Sequence, residues 1–236
     1  MPEGSFAEFS DAASVRAAAR SSGMRPVQIA LLLGLNAVPL LHAALVAATV
    51  AFAPGSWAAR IGAGAAMLYL LPPLAVRAIL AGGRPHGRVA YGSRGFFQWW
   101  ASFQWQVIFC RFPALEEMLR LVPGLYSLWL GLWGARIGRL TYWAAGTLIL
   151  DRPFLRIGSE VVFGAGVRLN AHVLQRGAEG VPELLLAPIA IGDGASIGGY
   201  SLLTAGTEIA PGEATRAFTI APPFSKWAGG KRVREP

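Results

Sequence analysis

The sequence predicts an α plus parallel β-helix fold: a transmembrane helical hairpin, a connector of amphipathic helices, and a short prism of six-residue repeats. Three observations predict it. Residues 26–59 carry no formal charge. Residues 95–113 hold eight aromatic side chains. From Ile157 onward a large apolar residue returns every six positions.

The uncharged run comes first in the chain. Val27–Ala53 is long enough to cross a bilayer, which takes about 20 residues, and a second apolar stretch runs from Ile61 to Leu80. Pro54-Gly55-Ser56 between them reads as a turn followed by a helix cap, so the two spans form a hairpin. Pro72-Pro73 is expected to kink or shorten the second helix. Ala51-Phe52-Ala53 has the small residues of a signal cleavage site, but the apolar run before it is too long for a signal core and a second span follows at once. His42, inside the first span, reads as a neutral side chain bonded to the neighbouring helix.

The net charge of +8 raises nucleic acid as a partner, and its placement argues against it. Arg16, Arg20 and Arg25 precede the first span, Arg77, Arg84, Arg88 and Arg94 close or follow the second, and Lys231, Arg232 and Arg234 lie at the C-terminus. Basic residues flanking apolar spans suit a membrane surface. The turn between the spans carries only Arg60, so the positive-inside bias places both outer flanks, and everything after residue 90, in the cytoplasm of a cell whose inner membrane holds the hairpin. A single cysteine, Cys110, excludes an internal disulfide and any multi-cysteine metal site.

In the connector, Phe96, Trp99, Trp100 and Phe103 share one helical face at i, i+3, i+4 and i+7. Such a face suits either the headgroup level of a bilayer or packing against the domain that follows. Leu115, Met118, Leu119 and Val122 form a second stripe, with Glu116, Glu117 and Arg120 expected on a solvated face. Pro123-Gly124 ends it, and Leu125, Leu128, Trp129 and Leu132 begin another short helix.

The repeats decide the fold. Ile157-Gly158, Phe163-Gly164, Leu169-Asn170, Ile191-Gly192, Ile197-Gly198, Leu203-Thr204 and Ile209-Ala210 each open a hexad with a large apolar residue and a small or turn-forming one. An earlier set at Ile137, Trp143 and Ile149 is two residues out of phase with these. A period of six fits neither a helix nor an alternating strand. It fits three short strands per coil, each hexad forming one side of a triangular prism whose stacked coils bury a continuous core. The organisation expected is an N-terminal cytoplasmic segment at 1–25, the hairpin at 26–81, the interfacial connector at 82–131, the repeat domain at 132–215 with an insertion at 175–190, and a tail at 216–236.

The repeat segment resembles the hexapeptide-repeat acyltransferases. Pro123-Gly124-Leu125-Tyr126-Ser127-Leu128-Trp129-Leu130 and Leu132-Trp133-Gly134-Ala135-Arg136-Ile137-Gly138 are similar to membrane-anchored bacterial members. The resemblance implies a left-handed parallel β-helix, assembly as a homotrimer, acyl-CoA or acetyl-CoA lying along the outside of the prism as co-substrate, and a histidine general base. His172 is the one histidine of the repeat domain, at the fourth position of its hexad and just before the insertion. The resemblance therefore implies His172 as catalytic base, acting at neutral pH. Asn170 is a candidate for substrate binding or for shaping a corner. Glu179 and Glu183, in the insertion, are candidates for substrate binding or for orienting the imidazole. Gly198, Gly199, Tyr200, Ala205 and Gly206 are candidates for close approach by pantetheine, or turn residues. Lys226 is a candidate for the phosphates of CoA or of lipid headgroups. No metal is expected. The anchor suggests a lipid-like or apolar acceptor held at the membrane.

Two enzymatic rivals fail on residues. A β-helical carbonic anhydrase needs three histidines on its metal, and a fused nucleotidyltransferase needs a nucleotide-binding domain that does not fit before residue 90. The remaining rival is a β-helix that only scaffolds or trimerises.

Overall fold

The structure is a computed structural model that describes residues 24–176 and 182–233. Helices α1 (Pro26–Leu35) and α2 (Val38–Phe52) run on from one another across Asn36-Ala37, and α3 (Trp57–Ile79) returns beside them. Pro26–Phe52 and Trp57–Ile79 are long and apolar enough to cross a membrane. Leu40 is 76% exposed and Phe52 83%, so the hairpin does not bury its apolar surface in the protein as a soluble core helix would. Ser56 caps α3 by accepting from Ala59 N at 3.3 Å. Arg60 donates to Ala51 O at 3.0 Å and Gly55 O at 3.2 Å, satisfying carbonyls at the end of α2. A Cβ on Gly64 would meet Val50 Cγ2 at 2.4 Å, the close helix approach that small residues permit. α3 is not shortened at Pro72-Pro73; both are buried and the helix continues to Ile79. His42 is buried, bonds Met67 O at 3.2 Å and lies 5.6 Å from the Trp105 ring.

After β1 (Gly87–Ala90) the connector forms α4 (Arg94–Gln104), α5 (Val107–Arg111), α6 (Ala114–Arg120) and α7 (Leu125–Leu132). The aromatic face of α4 turns inward: Phe96, Trp99 and Trp100 are buried. Trp100 Nε1 donates to Asn36 Oδ1 at 3.0 Å, at the break between α1 and α2. On α6 (Ala114–Arg120) one residue expected in solvent is buried: Glu116 is 2% exposed, Leu115 and Leu119 pack on the core, and Met118 is exposed, as are Leu121 and Val122 just beyond the helix and Leu128 on α7. The sequence pattern alone assumed that charge faces solvent; here the carboxylate has buried partners to face.

The prism follows. Its first coil is β2 (Arg136–Ile137), β3 (Tyr142–Trp143) and β4 (Leu148–Ile149). The second is β5 (Leu155–Ile157), β6 (Val162–Phe163) and β7 (Arg168–Asn170). A hairpin, β8 (His172–Arg176) and β9 (Pro182–Leu186), then leaves the coil. β10 (Ile189–Ile191), β11 (Ser196–Ile197) and β12 (Leu202–Thr204) resume it, and β13 (Glu208–Ile209), β14 (Ile220–Ala221), β15 (Lys226–Ala228) and β16 (Lys231–Val233) complete the chain. The three prism faces are the sheets β2-β5-β10-β13-β15, extended by antiparallel β16, then β3-β6-β11, and β4-β7-β12-β14; pairing between coils is parallel.

The early, out-of-phase hexads are the first coil in full structural register: Ile137 pairs with Ile157, Trp143 with Phe163, and Ile149 with Leu169. The slip in sequence phase is two extra residues at one corner, where a 3₁₀ turn, Arg152–Phe154, interrupts the repeat. The Trp143 and Phe163 rings stack at 4.5 Å inside the prism. The small second position of the hexad has a steric cause: a Cβ on Gly198 would lie 2.3 Å from the carbonyl carbon of Arg216 in the next coil. One cluster of buried apolar residues runs from Leu32 and Val76 through the connector to Leu203 and Ala221, so hairpin, connector and prism share a core.

Candidate active site

The two irregularities of the prism fall on the same edge, between the β4-β7-β12-β14 face and the β2-β5-β10 face. One is the slip after Ile149, which carries Asp151. The other is the hairpin, whose first residue is His172. They meet: His172 Nδ1 lies 2.6 Å from Asp151 Oδ2. Asp151 Oδ1 accepts from Trp99 Nε1 at 2.9 Å. The imidazole packs against the rings of Trp99 and Phe103, with centroids at 4.8 and 5.4 Å. The aromatic face of α4 therefore forms one wall of the site.

The hairpin forms the other wall. β9 lies between β8 and β1 in an antiparallel sheet, with Leu186 opposite both His172 and Gly87. Leu184 and Leu186 join the main core beside Val89, while Leu185 and Ala187 pack on Ala205 of the prism. This sheet is thus held between connector and prism, and His172 cannot face open solvent as a corner residue would. Its side chain keeps 14% exposure, against 1% for Asp151.

An ionised carboxylate only accepts, so with a neutral imidazole the proton between the two groups sits on Nδ1 and Nε2 keeps its lone pair. Nε2 makes no hydrogen bond to any described residue. A histidine fixed in this tautomer by a buried carboxylate is arranged to take a proton at Nε2 and to be stabilised once it has done so.

Asp151 is placed by its neighbour. Arg152 is fully buried and pairs with Glu116 through Nε, at 2.7 Å to Oε1, and through Nη2. Gln106 Oε1 accepts from Arg152 N at 2.8 Å and from its Nη1 at 3.3 Å. Glu116 Oε2 accepts from Tyr126 OH at 2.7 Å and Arg120 Nη2 at 3.3 Å. Arg120 also bonds Thr147 O at 2.8 Å and pairs with Glu117. The rings of Phe109, Trp129 and Trp133 lie within 5.8 Å of the Arg152 guanidinium. Burial alone would lower the Arg152 pKa; the Glu116 carboxylate overcomes it and holds the guanidinium above the ordinary arginine range. Burial, then the same carboxylate, pushes the Tyr126 hydroxyl well above its usual value. Two arginines and two glutamates balance in charge, as a buried network requires.

The other sequence candidates are dispersed. Asn170, two residues before His172, keeps its buried Oδ1 without a hydrogen-bond partner among the described residues. Glu183 lies in the hairpin stem and accepts from Arg88 Nη1 at 3.0 Å and Gln175 Nε2 at 2.6 Å; the carboxylate on His172 is that of Asp151. Glu179 lies outside the described residues. Ala205 and Gly206 share the edge of His172, one coil on, with Gly206 N donating to Ala187 O at 3.2 Å. Gly198, Gly199 and Tyr200 form a different edge, where Gly198 N donates to Thr215 Oγ1 at 3.1 Å and the exposed Tyr200 stacks on Phe218 at 5.4 Å. Lys226 lies on the β2-β5-β10-β13-β15 face, opposite Glu208. Among the described residues no three His, Cys, Asp or Glu side chains converge as a metal site requires.

Asp151 was absent from the sequence candidates because it lies in no hexad. The phase slip from Ile149 to Ile157 was the available signal: extra residues at a corner, one of them acidic, in the coil that stacks beneath His172.

Solved structures that the chain resembles include three acetyltransferases. A hexapeptide-repeat-containing acetyltransferase of Vibrio cholerae O1 biovar eltor, complexed with acetyl coenzyme A, aligns at 21% identity over 42% of this chain and 59% of that one, with a TM-score of 0.33; the alignment thus spans less than two thirds of that protein. A maltose O-acetyltransferase from Clostridium difficile 630 aligns at 13% identity over 68% of this chain and 96% of that one, TM-score 0.37. A galactoside acetyltransferase in complex with coenzyme A aligns at 15% identity over 53% and 78%, TM-score 0.32. No protein-family model matches the chain, and no curated protein does.

Proposed function

We propose that this chain is a membrane-anchored hexapeptide-repeat acyltransferase, its prism a left-handed β-helix, which moves an acyl group such as acetyl from acyl-CoA to a hydroxyl or amine of a membrane-associated acceptor. The observation that carries the reading is the Asp151–His172 pair, enclosed by Trp99 and Phe103 on the edge where the repeat is twice interrupted. A buried carboxylate on Nδ1 and an unbonded Nε2 are the parts of a general base.

In this mechanism His172 Nε2 takes the proton of the acceptor hydroxyl or amine as that atom bonds to the thioester carbonyl carbon. Asp151 stabilises the imidazolium through Nδ1–H. When the carbon–sulfur bond breaks, His172 returns the proton to the departing sulfur and is neutral again. Asn170 Oδ1, buried without a partner among the described residues, is available to accept from the acceptor or the donor. Ala205-Gly206 beside His172 offers a close approach to the acyl donor, and Gly198-Gly199-Tyr200 one to a neighbouring subunit's donor in a trimer.

The membrane part of the reading rests on the two apolar helices and their exposed side chains, and on the exposed apolar residues Met118, Leu121, Val122 and Leu128 around α6 and α7. Such a surface suits lipid better than water. The basic flanks support a prism on the cytoplasmic side of a bacterial inner membrane, where acyl-CoA is available.

His172→Ala in the full chain tests the assignment. Acyl transfer from acetyl-CoA to extracted membrane lipids, followed by mass spectrometry, is expected to fall by about 10²-fold or more, with circular dichroism and membrane retention unchanged. Transfer at the wild-type rate would leave a scaffold in place of an enzyme.

A further inference from the structure

Two arginines occupy the same outward position on successive coils. β2 and β5 pair in parallel with Arg136 opposite Arg156, and both are exposed. Like charges directly opposite on a sheet destabilise it, so the arrangement calls for a counter-charge. Among the described residues neither takes part in an ion pair. Glu208, on the same face, is opposite Lys226, and Ala190 separates it from Arg156.

A third guanidinium joins them. Arg84 donates to Pro153 O at 2.7 Å and Gly134 O at 2.9 Å, backbone carbonyls just before β5 and β2. Those bonds fix its orientation and leave the other N–H groups of its fork without an acceptor among the described residues. Its pKa lies below the ordinary arginine range through burial and then through the charges of Arg136, Arg156 and Arg77. Arg77 stands in the last turn of α3, at the end of an apolar helix long enough to span a bilayer, which is the depth of lipid headgroups.

We infer that Arg84, Arg136 and Arg156, with Arg77 beside them, form a binding site for the phosphate of an anionic membrane lipid. Planar guanidinium forks match phosphate oxygens, and several converging on one anion favour a phosphodiester over a carboxylate. The end of α3 favours a lipid over a dissolved anion, because a headgroup is presented there at high local concentration. The site borders the Asp151–His172 pair: Pro153, whose carbonyl holds Arg84, is two residues beyond Asp151. The inference rests on the membrane reading of the hairpin and not on acyl transfer.

The test uses the full chain in nonionic detergent micelles, with calorimetry and thermal melting. Dioctanoyl phosphatidylglycerol is expected to bind and raise the melting temperature, and dioctanoylglycerol, which lacks the phosphate, is not. Arg136→Gln/Arg156→Gln is expected to weaken that binding about tenfold or more. Without lipid it is expected to melt no lower than wild type, since a repulsion has been removed. Arg136→Lys/Arg156→Lys is expected to keep part of the affinity, and His172→Ala all of it, whether or not acyl transfer is lost. Unchanged lipid binding by the double glutamine variant would overturn the site. So would CoA or inorganic phosphate binding there more tightly than the lipid, or a lipid-free double glutamine variant that melts well below wild type.

Discussion

Asp151 and Arg152 are consecutive, yet their side chains enter two different buried networks. The Asp151 carboxylate joins His172 and Trp99, and the Arg152 guanidinium joins Glu116 and Gln106. The backbone that holds the carboxylate on the imidazole is thereby fixed to connector helix α6 by an ion pair.

Asp151→Asn keeps the shape of the side chain and removes its charge. An amide can present N–H to Nδ1, which favours the tautomer with the proton on Nε2 and withdraws the base. Acyl transfer is expected to fall by about 10²–10⁴-fold, mostly in kcat. A loss under threefold in steady-state assays would mean that Asp151 does not set the tautomer.

Trp99→Phe removes the indole N–H that Asp151 Oδ1 accepts, while keeping an aromatic wall. One hydrogen bond to a charged group contributes about 1.5–3 kcal/mol. The variant is expected to melt lower and to turn over about tenfold more slowly, the rate effect being smaller than that of Asp151→Asn. Equal effects of the two substitutions would contradict the order of contacts.

Glu116→Gln leaves the buried Arg152 guanidinium without its counter-ion, at a cost of about 3–5 kcal/mol, whereas Arg152→Met leaves Glu116 with Arg120 and Tyr126 and is expected to cost less. The double variant is expected to be less destabilised than the sum of the singles, with a coupling of about 1–3 kcal/mol in a thermal or denaturant double-mutant cycle. Strict additivity would show that the two groups are not paired.

Gly198→Ala puts a methyl 2.3 Å from the Arg216 carbonyl carbon, whereas a Cβ on Gly131, in α7, meets nothing within 4 Å. The first is expected to destabilise by about 1–3 kcal/mol, and the second to be neutral or slightly stabilising through helix propensity, by up to about 1 kcal/mol. Thermal melts of the two variants side by side check the pair; a tolerated Gly198→Ala would mean that the corner can relax.

The prism could be read from the sequence because each hexad repeats the same local demand: a large residue inside, and a small one where the next coil stacks. Ile157, Phe163 and Leu169 carry that demand within one coil. The position of His172 beside an insertion was readable in the same way. Asp151, Trp99 and Glu116 were not, because each meets its partner across a long stretch of chain and none lies in a repeat. The inward turn of Glu116 was hidden for a second reason. Sequence periodicity marks Glu116 as polar but does not show that Tyr126 and Arg152, both buried, are placed to bond it.

The bonds from Gln28 to Gly92 O and from Trp100 to Asn36 tie the helical hairpin to α4, which walls in His172, and to the turn before it. The hairpin is therefore not a tether that can be clipped away without consequence for the site. A truncation starting after residue 81 is expected to strip α4 of its backing and loosen Trp99 and Phe103 around the imidazole. On the proposed reading, an active preparation is expected to need the whole hairpin, held in detergent or lipid.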